Sequence, residues 1–390
     1  MNHLNIAICG AGPAGLSAAI ALHREGHHIT IFDQFDAPKP IGSGLILQPA
    51  GLAVLEWLGL ALDIRQLGAP ITKLSGKSAK TGRIVLDVRY AGLGGETGLA
   101  VHRAGLFYVL HTAVKNLNIK FKMSSFIIGL DSTTLILDQG ERHGPFDLII
   151  DGLGGRSPLI KNASGPDRRR SLQYGAIWAS LPWPGAPFDD QALEQRYEAA
   201  SVMIGVLPIG KRFPGDNHHA AFFWSLKSAD YTQWQAEGLD RWKSHVAQLW
   251  PETQPLLNTI LSADQMTMAR YDHHTLSLPF GDSLVFIGDS AHSTSPQLGQ
   301  GANMALLDVM ALTGALKTAS TLQQALHNYA AARRWHVRLY QAMSAIFTPF
   351  YQSDSQILPM LRDYLVAGAS MVPSSQKLLA NLVAGKLMLK

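Results

Sequence analysis

Cys9 is the only cysteine in this chain, so no disulfide can form within it. It lies in the apolar run Leu4-Asn5-Ile6-Ala7-Ile8-Cys9, where a small buried hydrophobe is expected rather than a redox group. Charge is scarce too. Charged residues make up 16% of the chain and the formal net charge is +4, too mild a surplus to point to nucleic acid. The one compact basic run, Arg168-Arg169-Arg170, reads as a solvated loop. No uninterrupted run of about 18 apolar residues occurs, so no spanning helix is expected. The pairs His218-His219 and His273-His274 lack zinc-ligand spacing, because neighbours on a strand point in opposite directions; they read as surface loops, and no metal is expected. No nucleophile triad is evident either. The first strand begins almost at the N-terminus, so no signal peptide is expected and a reducing cytoplasm is the expected compartment. There is enough apolar material, 47% of 390 residues, for two domains or one large discontinuous one, without repeats or low-complexity stretches.

The first positive signal follows Cys9. Gly10-Ala11-Gly12-Pro13-Ala14-Gly15 fits G-x-G-x-x-G between a buried strand and a helix, Leu16 to Glu25, that stops at Gly26. A second strand, His28 to Phe32, ends in Asp33 at the separation a dinucleotide site requires. Gly10 permits the tight turn, Gly12 lets a pyrophosphate approach the backbone, Gly15 lets helix and strand pack closely, and Asp33 can accept ribose hydroxyls. This pattern alone does not separate FAD from NAD.

Residues 285–303 supply a second contact far away in the chain. The run Leu284-Val285-Phe286-Ile287 ends at Gly288-Asp289, and a Pro/Gly-punctuated loop leads into a helix expected from Ala302 to Leu316. Asp289 can accept hydrogen bonds from sugar-like hydroxyls. Gly299 and Gly301 let the backbone approach a flat ligand at a helix N-terminus, where free N–H groups favour negative charge.

Elsewhere the periodicity predicts an extended segment, Gly42 to Pro49, that includes Gly44, then a helix from Ala50 to Leu58 and two strands in Thr72–Arg89 about a Thr81-Gly82 turn. Arg103 precedes a helix, Ala104 to Asn116, and strands near Ile119–Met123, Leu135–Leu137 and Leu148–Ile150 return to the first domain. From about Gly165, scattered prolines and the aromatic strand Ala220–Leu226 indicate a largely antiparallel sheet. The last sixty residues read as helical, over Leu322–Phe347, Ser355–Leu365 and Ser374–Leu389. The fold class is therefore α/β: a Rossmann-like nucleotide-binding domain with a parallel sheet (1–72, 100–180 and 281–335), interleaved with a mainly antiparallel substrate domain (73–99 and 181–280) and a helical C-terminal segment (336–390).

Together, Gly10–Gly15, Arg103, and Gly288-Asp289-Ser290-Ala291-His292 followed by Pro296, Gly299, Gln300, Gly301, Ala302 and Asn303 resemble the class A flavoprotein aromatic hydroxylases. That group includes para-hydroxybenzoate hydroxylase and the ubiquinone-biosynthesis hydroxylases, and the similarity spans essentially the whole chain. The resemblance implies FAD as cofactor and NAD(P)H as co-substrate. It places Asp289 on the ribityl chain, Arg103 beside the cofactor, the backbone N–H groups of Ala302 and Asn303 at the flavin pyrimidine oxygen, and Pro296 beside the isoalloxazine near the substrate. In such proteins reduced flavin and dioxygen give a flavin hydroperoxide, whose distal oxygen passes to an electron-rich ring. His292 then reads as a residue holding the loop rather than a base.

One segment departs from the family. Where it has an acid, then Gly and later Ser, this chain reads Asp151-Gly152-Leu153-Gly154-Gly155-Arg156-Ser157, with Leu153 in the acid's place. That leaves three options: Asp151 substitutes by a local shift, the flavin is reduced in another way, or the protein is a flavin-binding accessory rather than a self-sufficient monooxygenase. Leu307-Asp308 also stands where Glu-Asp is usual. For the substrate, Met203, Gly205, Leu207, Phe222 and Trp224 are candidates for an apolar pocket wall, fitting a flat hydrophobic ring better than a small benzoate that wants a paired Arg. The C-terminal apolar face (Leu378, Leu379, Leu382, Val383, Leu387, Met388), interspersed with Lys377, Lys386 and Lys390, is expected to dock on the flavin domain, with peripheral membrane contact as the alternative.

Overall fold

The computed structural model describes residues 3–37, 42–369 and 373–388. Five strands form a parallel sheet in the order Leu284–Phe286, Leu148–Asp151, Asn5–Cys9, His28–Phe32, Lys120–Lys122. Asn5–Cys9, Leu148–Asp151 and Leu284–Phe286 are near-continuous buried apolar runs, as in a sheet covered on both faces. The crossover helix Pro13–Arg24 starts on a proline, buries Ala14 to Leu22, and ends in His23 and Arg24, whose charge suits a helix C-terminus. Cys9 is fully buried and burial raises its thiol pKa well above the ordinary value, as suits packing rather than redox chemistry.

The second layer is a seven-stranded sheet ordered Thr267–Ala269, Tyr174–Pro182, His219–Lys227, Val202–Gly210, Ala192–Glu198, Lys73–Ser78, Ile84–Arg89. Only the contact between Lys73–Ser78 and Ala192–Glu198 is parallel, the two segments coming from opposite sides of the nucleotide domain. The sheet takes up Tyr174–Pro182, so a boundary drawn at residue 180 falls inside a strand and the change of sheet comes before Tyr174. The strand Thr134–Leu137 pairs with Ile127–Asp131 in a small separate antiparallel sheet. One other reading is corrected. Arg168-Arg169-Arg170 forms an exposed strand, Asp167–Ser171, held by pairing with Asp272–Leu276.

Helix Gly301–Thr318 lies against both Pro13–Arg24 and the 30-residue helix Leu322–Tyr351. The helices Ile357–Ala369 and Pro373–Val383 follow. The last of them docks as expected: Ala50 N donates to Ala384 O at 3.1 Å, Tyr340 OH to Leu382 O at 2.8 Å, and the Gln300 side-chain amide to Val383 O at 2.5 Å. Leu389 and Lys390 lie outside the described residues. Among the described residues no helix is long and apolar enough to cross a membrane.

Candidate active site

Gly288 joins the two glycine-rich loops. At φ +62° it ends the edge strand, and a methyl group there would lie 3.3 Å from Ala14 Cβ and 3.2 Å from Ala305 Cβ, one in the first turn of each helix. Both helix N-termini lack a side-chain cap, so their first N–H groups remain available. Gly15 packs so tightly that a Cβ would sit 2.0 Å from Gly10 O, whereas a Cβ on Gly12 would meet nothing within 4 Å. Gly12 thus faces open space at a helix N-terminus, as an approaching pyrophosphate requires. Asp33 is turned onto the loop: Oδ2 accepts from Ala11 N at 2.6 Å and Oδ1 from Phe35 N at 3.1 Å, so it braces the glycine turn in addition to any ribose contact.

A cavity of about 1150 Å³ opens beside the second of these loops; Gly10, Gly12, Pro13, Ala14, Gly15, Asp33 and Gly288 are not among the residues that line it. Gly44, Arg103, Asp289, Pro296, Gly299, Gly301 and Ala302 line one side, Met203 and Leu207 the sheet side, and Leu379, Leu382 and Val383 the far end. Such a volume exceeds the roughly 300–1,000 Å³ usual for one small ligand, leaving room for a cofactor ring system and a substrate together. Among the described residues nothing hydrogen-bonds the exposed carboxylate of Asp289, so its acceptors face the cavity unused. Arg103 opens the helix Arg103–Asn116, where His102 caps by accepting from Ala104 N at 3.0 Å. Burial, then His219 and Arg212, lower that imidazole's pKa to about 4, keeping it neutral and able to accept.

The parity of one wall differs from expectation. Phe222 and Trp224 face away from the cavity, into a core with Trp234, Trp242 and Trp250 beneath the surface helices. Phe223 faces the cavity instead. It pairs with Gly205, where a Cβ would fall 1.9 Å from its ring, so Gly205 acts by seating the phenyl group. Trp178 lies beside Phe223 at 4.5 Å between ring centroids and donates its indole N–H to Tyr271 OH at 2.9 Å.

Gln48, Tyr90, Arg333 and His336 support the site and were not singled out from the sequence, whereas Asn303 was read only for its backbone N–H. Asn303 is fully buried; its Oδ1 accepts from Gln48 N at 2.8 Å, and its amide donates to Ile46 O and Gly299 O. Gln48 in turn accepts from Tyr90 OH at 2.5 Å. Asp308 is the hub of the second loop: it accepts from Gly288 N and Arg333 Nε, and His292 Nε2 lies 2.8 Å away. Burial works against this carboxylate, yet His292 and Arg333 hold it at about 2. Arg333 donates on to His336 Nδ1, and His336 donates to Gly385 O at 3.0 Å, tying the loop to the C-terminal segment. His292 therefore holds the loop, as read from the sequence. His274, expected on the surface, is fully buried between Asp167 Oδ1 (2.5 Å) and Ser290 O (2.9 Å). The helical offset between Gly301 and Asp308, two turns on one face, was the available signal for the hub.

Asp151 is turned into the core and does not line the cavity. It is fully buried, accepting from Leu153 N at 2.9 Å and from Ser157 Oγ at 2.5 Å, and burial raises its pKa to about 7. Leu153 packs partly buried against the neighbouring core. Among the described residues no cluster of His, Cys, Asp and Glu is arranged to hold a metal.

A parallel sheet with two uncapped, glycine-flanked helix N-termini, the second of them lining the cavity, is the architecture of a dinucleotide-cofactor oxidoreductase. A family model described as an FAD binding domain matches residues 3–123 and 177–342. The FAD-dependent urate hydroxylase of Klebsiella pneumoniae subsp. pneumoniae is 25% identical over 342 residues, covering 85% of this chain and 86% of that protein. Aurachin C monooxygenase/isomerase of Stigmatella aurantiaca is 27% identical over 344 residues, covering 85% of each. The solved structure of Klebsiella pneumoniae HpxO complexed with FAD and uric acid has this fold, with a TM-score of 0.81 at 19% identity over 98% of this chain and 97% of that one. The chain belongs to this family, the class A FAD-dependent aromatic hydroxylases, and is an FAD-dependent monooxygenase.

Proposed function

We propose that the chain hydroxylates a flat, apolar aromatic or related ring compound with dioxygen, using electrons from NADH or NADPH. The observation that carries this reading is the single cavity, in which the Asp289, Arg103 and Gly299–Ala302 side is continuous with the apolar wall of Trp178, Met203, Leu207 and Phe223. Bound FAD supplies the oxygen-activating redox chemistry. The chain's own residues bind, orient and exclude water. Asp289 would accept from the ribityl hydroxyls, the N–H groups at the start of helix Gly301–Thr318 would serve the pyrimidine edge, and Arg103 would add positive charge there. Pro296 would lie beside the cofactor near the substrate; its loop is held by Ser295 Oγ, 2.9 Å from Ser344 Oγ and 2.6 Å from Thr348 Oγ1. The aromatic and aliphatic wall excludes water from the reacting ring.

A second reading concerns reduction alone and is favoured by the buried Asp151: the flavin receives electrons from a separate reductant rather than directly from a nicotinamide. Anaerobic mixing of the FAD-loaded protein with NADH or NADPH, with and without apolar phenols, separates the two. Bleaching of the flavin absorbance within seconds supports direct reduction. No bleaching with either coenzyme and any ligand supports the separate reductant.

A further inference from the structure

Helix Ile357–Ala369 is turned the opposite way from an ordinary surface helix. Ile357, Met360, Leu361 and Tyr364, spaced at three and four, are 69%, 62%, 46% and 67% exposed, while Arg362 is 2% exposed. Arg362 sets that orientation. Its guanidinium donates to Ala199 O at 3.1 Å and to Phe350 O at 2.9 Å, pairs with Asp363 at 2.8 Å, and lies over the rings of Tyr197 and Tyr351. Rotating the helix to bury its apolar face would strip a buried cation of these partners.

The helix packs on the strand Ile84–Arg89, whose hairpin completes the surface. Ile84 is exposed there, and so are Lys77, Lys80 and Arg83; the Arg83 guanidinium stands 5.5 Å from the Tyr364 ring centroid. Among the described residues none of these three cations forms a salt bridge. Farther along the same strand, past an irregularity in its pairing between Ile84 and Leu86, Leu86 and Val88 line the cavity.

We propose that this face seats the protein on an anionic lipid bilayer, the apolar helix face entering the headgroup boundary and Lys77, Lys80 and Arg83 contacting anionic headgroups. Lipid accounts for both the apolar face and its unpaired positive border. A second copy accounts for it less well, because a two-fold contact through this patch would gather the same cations from both copies at one interface. The membrane contact does not rest on the proposed function.

Flotation of the full-length, FAD-loaded protein with phosphatidylcholine vesicles, with and without phosphatidylglycerol, tests the proposal. The protein is expected to float only with the anionic vesicles and to be released as salt rises. Met360→Glu/Tyr364→Glu and, separately, Lys80→Glu/Arg83→Glu should each lower the bound fraction by about tenfold while bound flavin is retained. Failure of the wild type to float with either vesicle overturns the proposal, and so does binding unchanged in both variants. Light scattering that shows a dimer dissociated by Met360→Glu/Tyr364→Glu would reassign the face to self-association. Hydroxylation of soluble ring compounds, assayed without vesicles, reports on the catalytic reading separately.

Discussion

Asp289 and Asp151 are two carboxylates at the ends of adjacent parallel strands, with opposite fates. Asp289 faces the cavity with its acceptors unused, so Asp289→Ala would remove the proposed hydrogen bonds to the cofactor without leaving a buried orphan. The expected outcome is FAD held about tenfold or more weakly, read as the flavin-to-protein ratio after gel filtration; full occupancy would contradict the assignment. Asp151 is fully buried, and its folded pKa of about 7 lies above the ordinary value of 3.8. The folded chain therefore holds a proton that the unfolded chain has released between those values. Stability from this group is present below about 4 and declines as pH rises toward 7. Asp151→Asn keeps the shape without the titration, so the gap in melting temperature between variant and wild type should widen by several degrees in the variant's favour from pH 5 to pH 8. An unchanged gap would show that Asp151 is already charged at pH 5.

At the scale of elements, the strand His219–Lys227 shows how one residue of parity separates packing from function. Phe223 looks into the cavity over Gly205, whereas Phe222 and Trp224 sit in the tryptophan-rich core behind the sheet. Phe223→Ala is expected to change substrate affinity and coupling more than stability. Phe222→Ala opens a cavity in a packed core, costs about 3–5 kcal/mol in urea unfolding, and leaves ligand preference unchanged. Equal ligand effects from both would refute this assignment. The strand was legible from its aromatic composition, but its facing was not. An aromatic run of Phe-Phe-Trp has no apolar/polar alternation, so the inward parity is set by register with Val202–Gly210 and Tyr174–Pro182.

For the whole molecule, the cavity lies between the two sheets and is closed at its far end by the C-terminal helix. Its substrate side is apolar, with Gln195 already accepting from Tyr197 OH at 2.9 Å. Uncharged bicyclic or alkyl-substituted phenols should therefore perturb the flavin spectrum at about tenfold lower concentration than small benzoates, measured by absorbance titration. Tighter binding by the small carboxylates would place a cation, rather than the apolar wall, at the substrate ring.

Local chemistry was sufficient for the parts that depend on neighbours in the chain. Glycines at fixed offsets between strand and helix, an acid at a strand end, and Gly288-Asp289 before a helix are short-range patterns with short-range causes, and they announced both cofactor loops. Tertiary structure decided what depends on distant partners. Asn303 bridges to Gln48 across more than 250 residues, Asp308 meets Arg333 and His292 only once two helices and a loop have packed, and His274 is buried because Asp167 and Ser290 converge on it. Burial and hydrogen bonding are properties of the assembled chain. For that reason the same residue types read as surface histidines or pocket aromatics in sequence became loop supports and core in the fold.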